Sequence, residues 1–167
     1  MNRPGAVDTA LDVAEFHHKF GIEQPILPRQ MEHDMAVFRL TALLEEVREY
    51  GEALGFTVKT DFWLDPRCIP DLEKQLDALV DLWYFGVGNA LISGFDFDEA
   101  WRRVHDKNMS KERALPDGSN SLRFSKYDVV KPEGWTPPDH SDLIDGSHIA
   151  PVQWQINQRT FGLSDPR

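Results

Sequence analysis

The chain has 167 residues, 18 Lys and Arg against 28 Asp and Glu, a formal net charge of −10 at pH 7 and 41% hydrophobic residues. This is the balance of a globular protein with a core of its own, and the acidic surplus excludes a surface built to grip a nucleic-acid polymer or an anionic membrane, since both require clustered Lys and Arg. One cysteine, Cys68, excludes an internal disulfide; with no apolar leader after Met1 and no apolar run near the ~20 residues of a membrane span, a cytoplasmic protein is expected.

In chain order, the first two-thirds reads as helical. Helix one is expected over 8–20, with Leu11, Val13, Ala14, Phe16 and Phe20 apolar and Gly21 as its stop. Residues 24–28 form an extended linker, because residues before proline avoid the helical region. Helix two is expected over 29–54, where Ala36, Leu40, Leu43, Val47, Tyr50 and Leu54 recur at alternating spacings of four and three. Helix three begins after Pro70, with the proline preset for the first turn, and ends at Gly94. Its second half is apolar nearly all round, which places it at the centre of a bundle. Helix four opens with Asp96 three residues before Glu99, a capping-box-like pair, and runs to about Arg113.

After Leu115 the pattern changes to turns, at Asp117-Gly118-Ser119-Asn120, Lys131-Pro132-Glu133-Gly134 and Pro137-Pro138. Trp135, Trp154 and Phe161 argue that this tail is draped on a surface. The expected organisation is therefore an all-α bundle of four main helices over 1–115, followed by an irregular, extended tail over 116–167 packed on the core or on a partner protomer. Two long helices and two short ones make a thin bundle, so its core is expected to be completed by oligomerisation.

The chemistry-bearing pattern is acidic. Glu46 and Glu49 stand three apart and Glu45 and Glu49 four apart on helix two, so they share a face; on helix three Glu73, Asp77 and Asp81 follow at spacings of four. Asp81 interrupts the run Ala78-Leu79-Val80-Asp81-Leu82-Trp83-Tyr84-Phe85, where an unpaired carboxylate calls for a cation or strong hydrogen bonds. One reading is a solvated acidic face with Arg48 paired locally. The other is a divalent-cation site whose oxygen-only ligands select Mg²⁺ or Mn²⁺ and whose chemistry is metal-assisted attack of water on phosphorus. Near the end of helix four, Lys107, Asn108 and Lys111 suit phosphate oxygens, or simply complement the helix dipole. Arg39, seven residues before Glu46, is placed to reach the same face or to pair structurally.

These residues carry a resemblance. Phe16-His17-His18-Lys19-Phe20-Gly21, then Arg39 with Leu43-Leu44-Glu45-Glu46-x-x-Glu49, then Asp77 to Phe85, then His105-Asp106-Lys107-Asn108-Met109-Ser110-Lys111, resemble in order the elements of the all-α nucleoside triphosphate pyrophosphohydrolase superfamily. The nearest branch is MazG-like and phosphoribosyl-ATP-pyrophosphohydrolase-like, and the likeness extends over 13–139. One position departs: a Glu is usual three residues before Asp81, where this chain has Ala78, and Asp77 is its substitute. The resemblance implies Mg²⁺-dependent hydrolysis between the α and β phosphates, giving a nucleoside monophosphate and pyrophosphate, in a homodimer or homotetramer. It implies Glu46, Glu49, Asp77 and Asp81 as metal ligands, Glu45 as the residue that orients or deprotonates water or holds a second cation, and Arg39, Lys107, Asn108 and Lys111 as phosphate contacts. The expected role is cleansing of the nucleotide pool. The alternatives are the phosphoribosyl-ATP enzyme of histidine biosynthesis and a non-catalytic nucleotide- or metal-binding oligomer.

Overall fold

The computed structural model describes residues 8–65 and 67–148, so Trp154 and Phe161 of the tail lie outside the described residues. Its elements are α1 (Thr9–Phe20), α2 (His33–Ala53), α3 (Leu72–Ile92), α4 (Phe97–Met109), the two-residue strands β1 (Glu112–Arg113) and β2 (Val129–Val130), which pair, and a single turn of helix, α5 (Ser141–Ile144). The fold class is all-α with four main helices, as the periodicity predicts.

The helix ends follow from their caps. The Asp8 carboxylate accepts from the Leu11 amide at 3.1 Å, and Gly21, left-handed at φ 65°, closes α1. α2 starts at His33 rather than Arg29: Glu32 is extended and provides no side-chain cap, and the apolar stripe that helix formation would bury begins only at Ala36. Pro70 does not occupy the first turn of α3, because Asp71 intervenes and accepts from the amides of Glu73 and Lys74 at 3.1 and 3.2 Å. The Asp96 cap of α4 accepts from the Glu99 amide at 3.1 Å. α4 ends at Met109, not near Arg113: the Ser110 hydroxyl donates to the Lys107 carbonyl at 2.8 Å and closes the turn, and Arg113 is drawn into β1.

The described residues fall into two units. One comprises 8–23, 76–112 and 131–148; the other comprises 24–75 and 113–130. In the first unit α1 packs on α4. Trp83 meets Phe97 and Trp101 edge-on at ring separations of 5.6 and 5.4 Å, and the Trp101 indole donates to Asp12 at 2.8 Å. Arg103 of α4 grips Asp142 of α5 through two hydrogen bonds of 2.6 and 2.8 Å, which seats Leu143 in a buried position. In the second unit the last turn of α2 is approached so closely by Val58 that a Cβ on Gly51 would lie 2.3 Å from its Cγ2.

Among the described residues, the apolar stripes of α2 and α3 are largely exposed. No residue of α3 is buried, and Tyr84, Phe85 and Ile92 are 78%, 70% and 88% exposed. On α2, Leu40, Leu43, Val47, Tyr50 and Leu54 are exposed as well. Asp81, expected among apolar neighbours away from water, is exposed among the described residues.

Candidate active site

The two halves of α2 differ in what their side chains meet. In its C-terminal half, Glu46 and Glu49 are exposed, with no ion-pair or side-chain hydrogen-bond partner among the described residues. Glu45, one residue earlier, is half-buried and committed: Arg123 donates to its Oε2 from Nε at 2.7 Å and lies within 2.5 Å through its second nitrogen. The same guanidinium donates to Asp128 at 3.0 Å, and Asp128 is 4% exposed. Burial opposes the charge on Arg123, but the hydrogen bond with Glu45 and the field of Asp128 outweigh it and raise its pKa above the ordinary value.

Arg123 and Asp128 form the part of the site that sequence reading does not find. Arg123 stands in Leu122-Arg123-Phe124-Ser125, a turn-rich stretch with no helical register, and nothing in its spacing ties it to a glutamate 78 positions earlier. The only hint is chemical: a half-buried acid in an acidic cluster requires a cation.

On α3, Asp77 and Asp81 stand one turn apart, both exposed and without a side-chain partner among the described residues. Among those residues no three His, Cys, Asp or Glu side chains gather as a group able to hold a metal. What each helix offers is a pair of uncommitted carboxylates. Such pairs suit Mg²⁺, which is usually held by one or two carboxylates together with waters and substrate phosphates rather than by an all-protein cage.

The cations expected at phosphate divide in two ways. Arg39 is exposed on α2, and desolvation by the surrounding protein lowers its pKa from the ordinary arginine value. Near the end of α4, Lys107 donates to Thr136 at 3.1 Å, and Lys111 lies 5.7 Å from the centroid of Trp135, against which Lys131 also packs at 4.8 Å. The Trp135 indole donates to the Lys107 carbonyl and to Ser110 at 3.2 and 3.0 Å. Asn108, between the two lysines in sequence, has no side-chain hydrogen bond among the described residues. The lysine cluster thus holds the tail at Trp135 and Thr136, a role the helix-dipole reading does not anticipate.

In the second unit a cavity of about 550 Å³ opens beside the Glu45–Arg123 pair. The first half of α2 forms one wall, with Asp34, Phe38 and Thr41, and the segment 116–127 forms the other, with Phe124, Lys126 and Tyr127. No single helix among the described residues is long and apolar enough to cross a membrane. A family described as phosphoribosyl-ATP pyrophosphohydrolase matches residues 13–108, more than half of the chain. No curated protein and no solved structure gives a match.

Proposed function

The chain belongs to the phosphoribosyl-ATP pyrophosphohydrolase family, and from that premise we propose that it cleaves a nucleoside triphosphate between the α and β phosphates, with Mg²⁺, to yield a nucleoside monophosphate and pyrophosphate. Membership makes it a pyrophosphohydrolase, a hydrolase of acid anhydrides acting on a nucleotide, and the reading as a non-catalytic sensor gives way to that. The observation that carries the finer proposal is the state of the carboxylates. Glu46, Glu49, Asp77 and Asp81 are exposed and unclaimed by protein cations among the described residues, whereas neighbouring Glu45 is held by Arg123.

Glu46 and Glu49 on α2 and Asp77 and Asp81 on α3 are the proposed Mg²⁺ ligands. The ion, when bound, neutralises phosphate charge and activates water. The rest falls to the chain's own groups. Glu45 is aimed by the Arg123 fork, so that its carboxylate is positioned to accept a hydrogen bond from the attacking water. Arg39, Lys107, Asn108 and Lys111 are the proposed donors to phosphate oxygens; the two lysines would exchange part of their contact with Thr136 and Trp135 for them. The apolar faces of α2 and α3 support a homodimer or homotetramer, since exposed apolar patches of this extent mark surfaces that another protein covers. The proposed place of action is the cytoplasm, and the proposed role is pool cleansing.

A second reading, phosphoribosyl-ATP as substrate, is favoured by the family's own description. It breaks the same kind of bond with the same groups and differs only in what occupies the nucleoside side.

The test is pyrophosphate release from canonical and modified ribo- and deoxyribonucleoside triphosphates and from phosphoribosyl-ATP, with Mg²⁺ and with a chelator. Release that requires Mg²⁺, and that falls at least ~100-fold in Glu46→Gln, is expected, because a first-sphere ligand should matter more than outer partners worth ~10–100-fold. Full turnover by Glu46→Gln or Asp81→Asn overturns the ligand assignment.

A further inference from the structure

We propose that the cavity between the first half of α2 and the segment 116–127 is the pocket that receives the nucleobase, and hence that a segment beyond the family match sets base selectivity. The inference rests on the pyrophosphohydrolase reading for its substrate class, and on the following geometry for its location.

The cavity measures about 550 Å³, within the ~300–1,000 Å³ range of small-molecule sites. Its walls carry aromatic rings: Phe38 and Tyr127 approach at 6.1 Å with their planes tilted by 47°, so that a flat heterocycle entering beside them can stack on one ring and meet the edge of the other. Asp34 and Ser125 bring polar groups to the same space, as needed to read the edge of a base. Lys126 stands over the Tyr127 ring at 5.1 Å and adds positive charge at the rim of an otherwise acidic protein.

The segment 116–127 is a preformed wall. Its backbone is closed on itself: the Gly118 amide donates to Leu115, Ser121 to Gly118 and Phe124 to Ser121. The Ser121 hydroxyl accepts from the Ser125 amide at 3.0 Å, and the Ser125 hydroxyl accepts from that of Tyr127 at 3.2 Å. Gly118 is left-handed, and any Cβ there would lie 2.6 Å from the Ser125 nitrogen. Phe124 holds φ 48°, a left-handed conformation that strains a non-glycine residue and that tends to be retained where a binding surface needs it. Its ring, 81% exposed, stands at the cavity rather than in a core.

The cavity also lies in register with the candidate catalytic residues. Asp34, Phe38 and Thr41 lead along one stripe of α2 to Glu45, and from Phe38 to Glu46 the helical rise is about 12 Å. A base at Phe38 therefore directs its phosphates along the helix toward Glu46, past Arg123, which lines the cavity and holds Glu45.

The test compares wild type with Tyr127→Ala and with Lys126→Glu, the latter an exposed substitution that spares the fold. Pyrophosphate release is measured across the nucleotide panel, and calorimetry follows binding of nucleoside monophosphates and of inorganic tripolyphosphate with Mg²⁺. The expected result for Tyr127→Ala is a rise in KM and in monophosphate Kd of about ten-fold, as for loss of one stacking partner. Discrimination between bases narrows, kcat changes less than KM, and tripolyphosphate binding is unchanged. For Lys126→Glu the rise is smaller and in the same direction. Active variants with unaltered KM and base discrimination overturn the pocket and leave the hydrolase standing, as does equal weakening of tripolyphosphate. Monophosphate binding that depends on Tyr127, in a protein that releases no pyrophosphate, upholds the pocket and overturns the hydrolase. Absence of monophosphate binding to the wild type overturns the pocket.

Discussion

The two units of the chain differ in how their polar groups are disposed. In the unit of α1, α4 and 131–148, several polar side chains are used on one another across elements: Arg103 on Glu99 and Asp142, Trp101 on Asp12, Trp135 on Ser110, and His148 on Asp96 at 2.6 Å. In the unit of α2 and 113–130, one arginine organises two acids, while Glu46 and Glu49 are left without partners among the described residues and a cavity stays open. Groups that are fully matched hold a shape; groups left unmatched at a surface are those that remain for a ligand. α3 is shared, its first residues belonging with α2 and those from Leu76 onward with α4, and its two aspartates belong in character with the unmatched set.

The sharpest way to break the contrast is at Arg123. Arg123→Met leaves Asp128, 4% exposed, without its cation and releases Glu45. Removing one partner of a fully buried pair costs ~3–5 kcal/mol, and because Arg123 is 26% exposed a loss of about 2 kcal/mol is expected, read as a lower urea midpoint at unchanged slope. Activity should fall further than stability predicts, through loss of Glu45 positioning. If stability falls and turnover per folded molecule does not, Glu45 has no part in the reaction.

A smaller effect is expected in the other unit. Trp101→Phe keeps the ring beside Trp83 but removes the indole donor to Asp12, at a cost of about 1 kcal/mol, with turnover preserved. A loss of activity comparable to that of Glu46→Gln would show that the first unit is not merely a scaffold.

The smallest effect concerns pH. The Arg103 hydrogen bonds hold the Asp142 carboxyl at about 2, below its ordinary 3.8. A depressed carboxylate stabilises the fold above its unfolded value and ceases to do so as pH falls through its folded value. The contribution is therefore complete above about pH 4 and lost toward pH 2. Asp142→Asn should cost a small amount of stability at pH 7, small because exposed pairs are well screened, and that difference from wild type should vanish as pH falls toward 2. A large effect at neutral pH would mean that α5 depends on this pair far more than its exposure suggests.

Much of this organisation was legible along the chain because it is local. The cap Asp96 and the stops Gly21 and Gly94 act within one turn, so the residue types alone locate these helix ends. The placement of Glu45, Glu46 and Glu49 on adjoining faces follows from 3.6 residues per turn and needs no tertiary information. The late start of α2 and the early end of α4 were not legible. The first turns on Glu32, whose backbone stays extended, and the second on a strand partner, Val129–Val130, beyond the helix itself.

What the sequence determined by itself, then, is the helical class, the acidic pairs and, through four ordered motifs, the family to which residues 13–108 belong. Tertiary structure decided which of three similar glutamates is held and which are not, because only folding carries Arg123 across 78 positions to Glu45. It decided likewise that Lys107 and Lys111 grip the tail through Thr136 and Trp135, and that the 116–127 turns stand against Phe38 to enclose a cavity. Periodicity reports the face a residue occupies; the partner it meets there is fixed by contacts distant in sequence, which leave no trace in local spacing.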